Sequence, residues 1–232
     1  MNLNIKHRQL FIVIALGVII ASFFYPIVTI VLAQQVEGYS HMRDLISELG
    51  VSTLPFAWIL SAVLLIDALL IFGLAFAVHG SIGIGQRDQK KLASALIGLF
   101  GLSLFIGGLF PCDVNCDPES INGWIHTLNI VPSIIAIWGA PFLLRKKFAS
   151  EERLPAFFAT SSYIVGVLLV VFVLASMFLF PMLELTGFGQ RLVLVLQLVF
   201  FSLVAAAVIH VNLLPTNRST HPDITWTRQI GD

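Results

Sequence analysis

Residues 163–180 read YIVGVLLVVFVLASMFLF, with no Asp, Glu, Lys or Arg among them. In lipid, backbone polar groups must be hydrogen-bonded within a helix or a closed barrel. Barrel strands alternate apolar and polar residues over about 10 positions. This run does not alternate, so it reads as a membrane-spanning helix. A helix needs roughly 20 apolar residues to cross a hydrocarbon core. Six segments of the chain meet that length: about 10–33, 55–78, 92–110, 121–144, 155–180 and 191–212. The expected fold is all-α, a polytopic transmembrane bundle of six helices forming a single integral membrane domain over 1–232. A polar tail at 213–232 closes the chain.

Composition agrees with this reading. Of 232 residues, 57% are hydrophobic and 11% charged, against roughly 25% charged in an ordinary soluble domain. The mean hydropathy is +0.93. A soluble globule could not hide this much apolar surface. The same numbers exclude a disordered chain and a basic nucleic-acid binder, so no nucleic acid is expected as a partner; the lipid bilayer is. The first span follows Lys6, His7 and Arg8, and Val31-Leu32-Ala33 resembles a signal-peptidase site. The apolar run exceeds the 7–15 residues of a signal peptide core, so it is read as a retained span.

The formal net charge is zero, from 13 Lys+Arg and 13 Asp+Glu, but the basic residues are not spread evenly. Lys6, Arg8, Arg87, Lys90, Lys91, Arg145, Lys146, Lys147, Arg153, Arg218 and Arg228 fall on one side of the six spans. Only Arg43 and Arg191 fall on the other. The positive-inside rule places the crowded side in the cytoplasm. The expectation is a multi-pass protein of the cell membrane with both termini cytoplasmic. Trp58 and Trp124 fall near the outer helix ends, where an aromatic belt belongs. The outer face is acidic, carrying Glu37, Asp44, Glu48, Asp113, Asp117, Glu119 and Glu184.

Polar residues concentrate on that outer face. In the first outer connection, 34–54, the residues Met42, Leu45, Ile46 and Leu49 recur at i, i+3, i+4 and i+7, one helical stripe. Ser40 suits an N-cap and Gly50 a C-terminal stop. The spacing predicts a short amphipathic helix whose polar side holds His41, Asp44, Ser47 and Glu48. Asp44 and Glu48 repel at i,i+4, so a nearby cation is expected; Arg43, Arg191, a metal or a ligand amine would serve. The second outer connection holds Cys112 and Cys116. A disulfide between them, reduced thiols or a metal are the readings open to a Cys-x-x-x-Cys on an oxidising side; no metal is assigned.

His126 lies a turn or two inside span four, with Asn122 and Asn129 on the same helix face. Asp67 is the one acidic residue at mid-membrane depth. Placing it there costs at least about 2.5 kcal/mol, so it carries a proton or finds a partner. Proton relay, ion site and hydrogen-bond donor are its open roles. His79 and His210 sit at helix ends on the basic side, where cations suit the helix dipole.

Two segments resemble a known family: Ile46-Ser47-Glu48-Leu49-Gly50, and Gly108-Leu109-Phe110-Pro111-Cys112-Asp113 followed by His126. With the six-span layout they resemble the prokaryotic membrane family filed as domain of unknown function 998. The resemblance implies that Ser47, Glu48, Pro111, Asp113 and His126 are family-marked positions. The cysteine pair departs from that pattern, and the resemblance implies no reaction or cofactor.

The expected site is outward-facing. Its ligand-binding candidates are His41, Asp44, Ser47, Glu48, Asp113, Asn122 and His126, and its catalytic candidates are Glu48, Asp113 and His126. It suits a binding, transport or assembly protein taking a lipid or small molecule at the outer face. The alternative is a membrane-embedded, metal-assisted hydrolase or transferase acting on a lipid or lipid-linked substrate. The topology has a direct test. A membrane-impermeant thiol reagent added outside is expected to label Asp117→Cys and not Arg87→Cys; the reverse pattern inverts the orientation.

Overall fold

The computed structural model describes residues 5–82 and 87–214. The tail from residue 215, with Arg218 and Arg228, lies outside the described residues, as do the side chains of Arg87 and Lys90. The described chain is helical, with no strands. The helices are α1 (Ile5–Ala33), α2 (Ala57–Ser81), α3 (Arg87–Leu109), α4 (Ile121–Leu128), α5 (Ile130–Ser150), α6 (Ala156–Phe178) and α7 (Thr186–Leu213). Together α4 and α5 make one path, so six segments are long and apolar enough to cross a membrane. The path is interrupted at Asn129. Pro132 has no N–H to give the Leu128 carbonyl, which is the ordinary cause of such a break.

The six spans form a closed ring. α1 packs on α2 and on α7, α2 on α3, α3 on α5, α5 on α6, and α6 on α7. Outward faces stay apolar and exposed, as at Phe23, Phe76, Phe157 and Phe178, the surface a bilayer solvates. Trp58 and Trp124 are also exposed, in the first turns of α2 and α4. Inside, one half of the ring is filled by Phe11, Leu74, Ile97, Leu144, Phe148 and Phe200, each less than 2% exposed.

That filled half lies toward the basic end, where the connections are short and the helix ends are tied together. The Arg8 guanidinium donates to the carbonyls of Asn212 and Leu214, capping α7. Arg153 donates to the Ser81 carbonyl (3.1 Å), capping α2, and holds Glu151 at 2.6 Å. The cations sit on the negative ends of helix dipoles. Between them Asn212 Nδ2 donates to Ser81 Oγ (2.9 Å) and to the Val208 carbonyl (2.8 Å).

At the opposite end the three connections are longer and fold over the bundle. Here the first connection departs from the sequence expectation. The helix is a 3-10 turn limited to Ile46–Gly50. Ser40 does not cap it. Residues 40–44 form a separate turn, Asp44 N and Arg43 N donating to the Ser40 carbonyl, and Leu45 is extended (φ −73°, ψ 149°). The cause is competition: the carbonyls of Met42, Arg43 and Asp44 are all taken by α7, so they are lost to any continuing helix.

Asn212 is 5% exposed, and its truncation strands Ser81 Oγ. Asn212→Ala is expected to cost about 1–3 kcal/mol, read as a lower thermal midpoint of the detergent-purified protein. Leu213→Ala, on an exposed side chain, is expected to leave the midpoint in place.

Candidate functional site

The opposite half of the ring is not filled. A cavity of about 590 Å³ lies between the spans, reaching from Asp67 in α2 to the connections opposite the basic end. Every span contributes to its wall. Most of the wall is aliphatic or aromatic, including Ile71, Leu104, Ile134, Ile137, Val173 and Phe201. Its roof is made by Ile46, Ser47 and Gly50 of the first connection and by Pro111 and Cys116 of the second.

The roof is held by the start of α7. A helix leaves its first N–H groups unpaired; here Gly187 N donates to the Arg43 carbonyl and Phe188 N to the Met42 carbonyl, both at 3.0 Å. Gln190 Oε1 accepts from Ile46 N. Arg191 Nη1 donates to the Asp44 carbonyl (2.9 Å), and its Nη2 to the Tyr39 hydroxyl (2.6 Å). Tyr39 in turn donates to the Leu45 carbonyl at 2.9 Å. Burial pushes the Tyr39 phenol up from its ordinary value, so it keeps the proton this bond uses. Gly187 permits the approach, since a Cβ there would run into the Asp44 carbonyl.

The second connection is pinned twice. Cys112 and Cys116 form a disulfide, Cα to Cα 4.9 Å. Ser47 sits against it, its carbonyl 3.3 Å from Cys112 Sγ and its hydroxyl 3.3 Å from Cys116 Sγ. The Asp113 carboxylate accepts from Glu119 N (2.8 Å), Ser120 N (2.7 Å) and Ser120 Oγ (2.7 Å). Those hydrogen bonds from Ser120 and Glu119 hold the Asp113 carboxyl below the usual aspartate range. Ser120 Oγ also caps α4 by accepting from Gly123 N at 3.1 Å. Gly123 leaves room for Asp113 Oδ2, which stands where a Cβ would be.

The sequence candidates therefore divide. Ser47 and His126 line the cavity; Glu48, Asp113, His41, Asp44 and Asn122 do not. Glu48 Oε1 accepts from Leu45 N (2.9 Å) and Asp44 Oδ2 from Ser40 N (2.6 Å), each closing its own turn. Arg191 reaches the backbone of Asp44 rather than its carboxylate. His41 packs edge-on to the Tyr39 ring at 5.5 Å, and Asn122 is exposed. His126 Nδ1 donates to the Phe110 carbonyl at 2.9 Å, which fixes the tautomer and leaves Nε2 as the acceptor in the neutral ring. Asp113 and His126 thus both tie down the turn between α3 and α4, through different partners. Among the described residues, no three His, Cys, Asp or Glu side chains gather as a metal-holding group.

The cavity adds polar residues that the sequence reading passed over. Among them are Tyr25 in α1, Ser103 in α3, Ser176 in α6, and Gln190 and Gln197 in α7. Gln190 and Gln197 stand seven residues apart in an apolar helix, a one-face signal the sequence did contain. Asp67 and Asn129 line the same space. Asn129 Nδ2 donates to the Ser103 carbonyl (2.8 Å), but its Oδ1 is buried without a partner, as are the hydroxyls of Ser103 and Ser176.

The family described as Protein of unknown function (DUF998) matches residues 19–207. No curated protein and no solved structure matches the chain.

The three hydrogen bonds on Asp113 give a pH test. A carboxyl whose folded pKa is depressed contributes stability in full above its unfolded value, about 3.9, and loses it as pH falls through the folded value. The difference in thermal midpoint between wild type and Asp113→Ala is expected to be constant from about pH 7 to pH 5 and to shrink below that. A difference that does not change with pH would show that the carboxylate form is not what pins the turn.

Proposed function

We propose that this chain, which belongs to the DUF998 family of proteins of unknown function, is a binding or transport protein that takes a small amphipathic molecule into the cavity between its spans. One observation carries the reading: a cavity of about 590 Å³ whose walls are mostly apolar with a few polar residues, among them Tyr25, Asp67, His126, Gln190 and Gln197. Ligand sites in proteins have this composition, mostly apolar with a few convergent polar groups, and volumes of about 300–1,000 Å³.

The site faces the end opposite the basic residues, so it is outward-facing on the positive-inside rule. The roof is the element a ligand entering from that side has to pass. It is held by hydrogen bonds to the start of α7, from the backbone of Gly187 and Phe188 and the side chains of Gln190 and Arg191, and such contacts can be exchanged without unfolding a span.

The alternative, a membrane-embedded hydrolase or transferase, asks for acid and base groups placed together at a reacting atom, and of its three candidates, Glu48, Asp113 and His126, only His126 lines the cavity. Asp113 spends its carboxylate on three hydrogen bonds and Glu48 spends one oxygen on another. Their engagement favours binding over catalysis.

The test is extraction of the purified protein with organic solvent, followed by mass spectrometry. A small molecule is expected at about one per chain, enriched over the bulk lipid. Leu104→Trp fills the cavity wall and is expected to abolish the enrichment while the protein remains monodisperse. Equal enrichment in the variant, or none in wild type, would overturn the reading.

A further inference from the structure

We infer that the cavity contains a cation subsite anchored by Asp67, and that its ligand is a lipophilic amine bound as the ammonium. The inference rests on the cavity being a ligand site, and goes beyond it by naming the head group. Asp67 is the one carboxylate on the cavity wall, and the wall carries no Lys or Arg. The single imidazole there, His126, has its Nδ1 committed to the Phe110 carbonyl. Among the described residues Asp67 makes no hydrogen bond and no ion pair.

The neutral groups around the same cavity are compatible with that chemistry. Tyr25 is 8% exposed, and its hydroxyl has no hydrogen-bond partner among the described residues. Hydroxyls donate as well as accept, so they suit an ammonium without selecting it; a primary ammonium carries three donors and no acceptor. The selection is made by charge, one carboxylate on the wall and no Lys or Arg.

The competing head groups fit worse. A carboxylate or phosphate would meet Asp67 as a like charge, with no Lys or Arg on the wall to offset it. An uncharged hydroxyl can pair with a protonated Asp67 carboxyl, but it forms no charge-assisted hydrogen bond there and is held more weakly than an ammonium. The aliphatic wall, with Ile71, Ile134 and Ile137, then receives the hydrocarbon part. No bond is made or broken in this step; the ammonium replaces water or a proton at the carboxylate.

The experiment uses the full chain in lipid nanodiscs, with empty nanodiscs as the reference. Octylamine, octan-1-ol and octanoate are titrated separately at neutral pH and followed by calorimetry. Octylamine is expected to bind saturably and at least about tenfold more tightly than octan-1-ol, the scale of one charge-assisted hydrogen bond. Octanoate is expected not to bind. Asp67→Asn is expected to remove the amine preference, bringing octylamine to the affinity of octan-1-ol, and Asp67→Glu to retain the preference. A single monodisperse species and a cooperative thermal transition report that the Asn variant is folded. If amine and alcohol bind alike and Asp67→Asn changes neither, the cation subsite is overturned while the cavity remains a ligand site. If none of the three binds above empty nanodiscs, both the subsite and the cavity reading fall.

Discussion

Hydrocarbon offers no hydrogen bonds to a polypeptide backbone, and the architecture of this chain follows from that deficit. Within each span the helix satisfies its own N–H and C=O groups. At the helix ends it cannot, and the ends are where the polar residues of this sequence are spent. At the basic end Arg8 and Arg153 donate to the last carbonyls of α7 and α2. At the other end the first N–H groups of α7 are paired by carbonyls of the first outer connection. One requirement, applied at both ends, closes the ring at its basic end and builds a roof at the other.

The interior then stands in contrast to the ends. Asp44, Glu48, Asp113 and Arg191 all point back to the backbone and stabilise turns. In the residues around the cavity the opposite holds: the hydroxyls of Ser103 and Ser176 and the carbonyl of Asn129 are buried without partners. A bundle selected only for stability would fill that space with apolar side chains, as the basic half does with Phe148 and Phe200. Retaining unpaired polar groups in a membrane interior is costly, and such residues commonly mark a ligand or ion path.

The disulfide belongs to the same economy of short connections. It closes a tight turn in which Asn115 and Cys116 adopt left-handed backbone angles (φ 57° and 54°). Its sulfurs lie against Ser47, so the two outer connections meet at one point above the cavity. Ser47, Pro111 and His126 border the cavity, while Glu48 and Asp113 hold the turns that carry them.

The sequence by itself determined the six helices, because a run such as 163–180 has only one stable form in lipid. It also determined the basic asymmetry and the isolation of Asp67, since both are matters of residue order and hydropathy. It did not determine the form of the first outer connection. The i, i+3, i+4, i+7 stripe of Met42, Leu45, Ile46 and Leu49 suits a helix, but α7, nearly 150 residues later, takes the carbonyls that helix would need. The sequence's grouping of the polar residues rested on their expected depth alone. Glu48, Asp113 and His126 share a membrane level, which sequence can read, but the direction of each side chain depends on the nearest unpaired backbone group. The convergence of Tyr25, Asp67, Ser103, Asn129 and Ser176 on one cavity was decided only by the tertiary structure, because it depends on how the five helices carrying them are rotated in the ring.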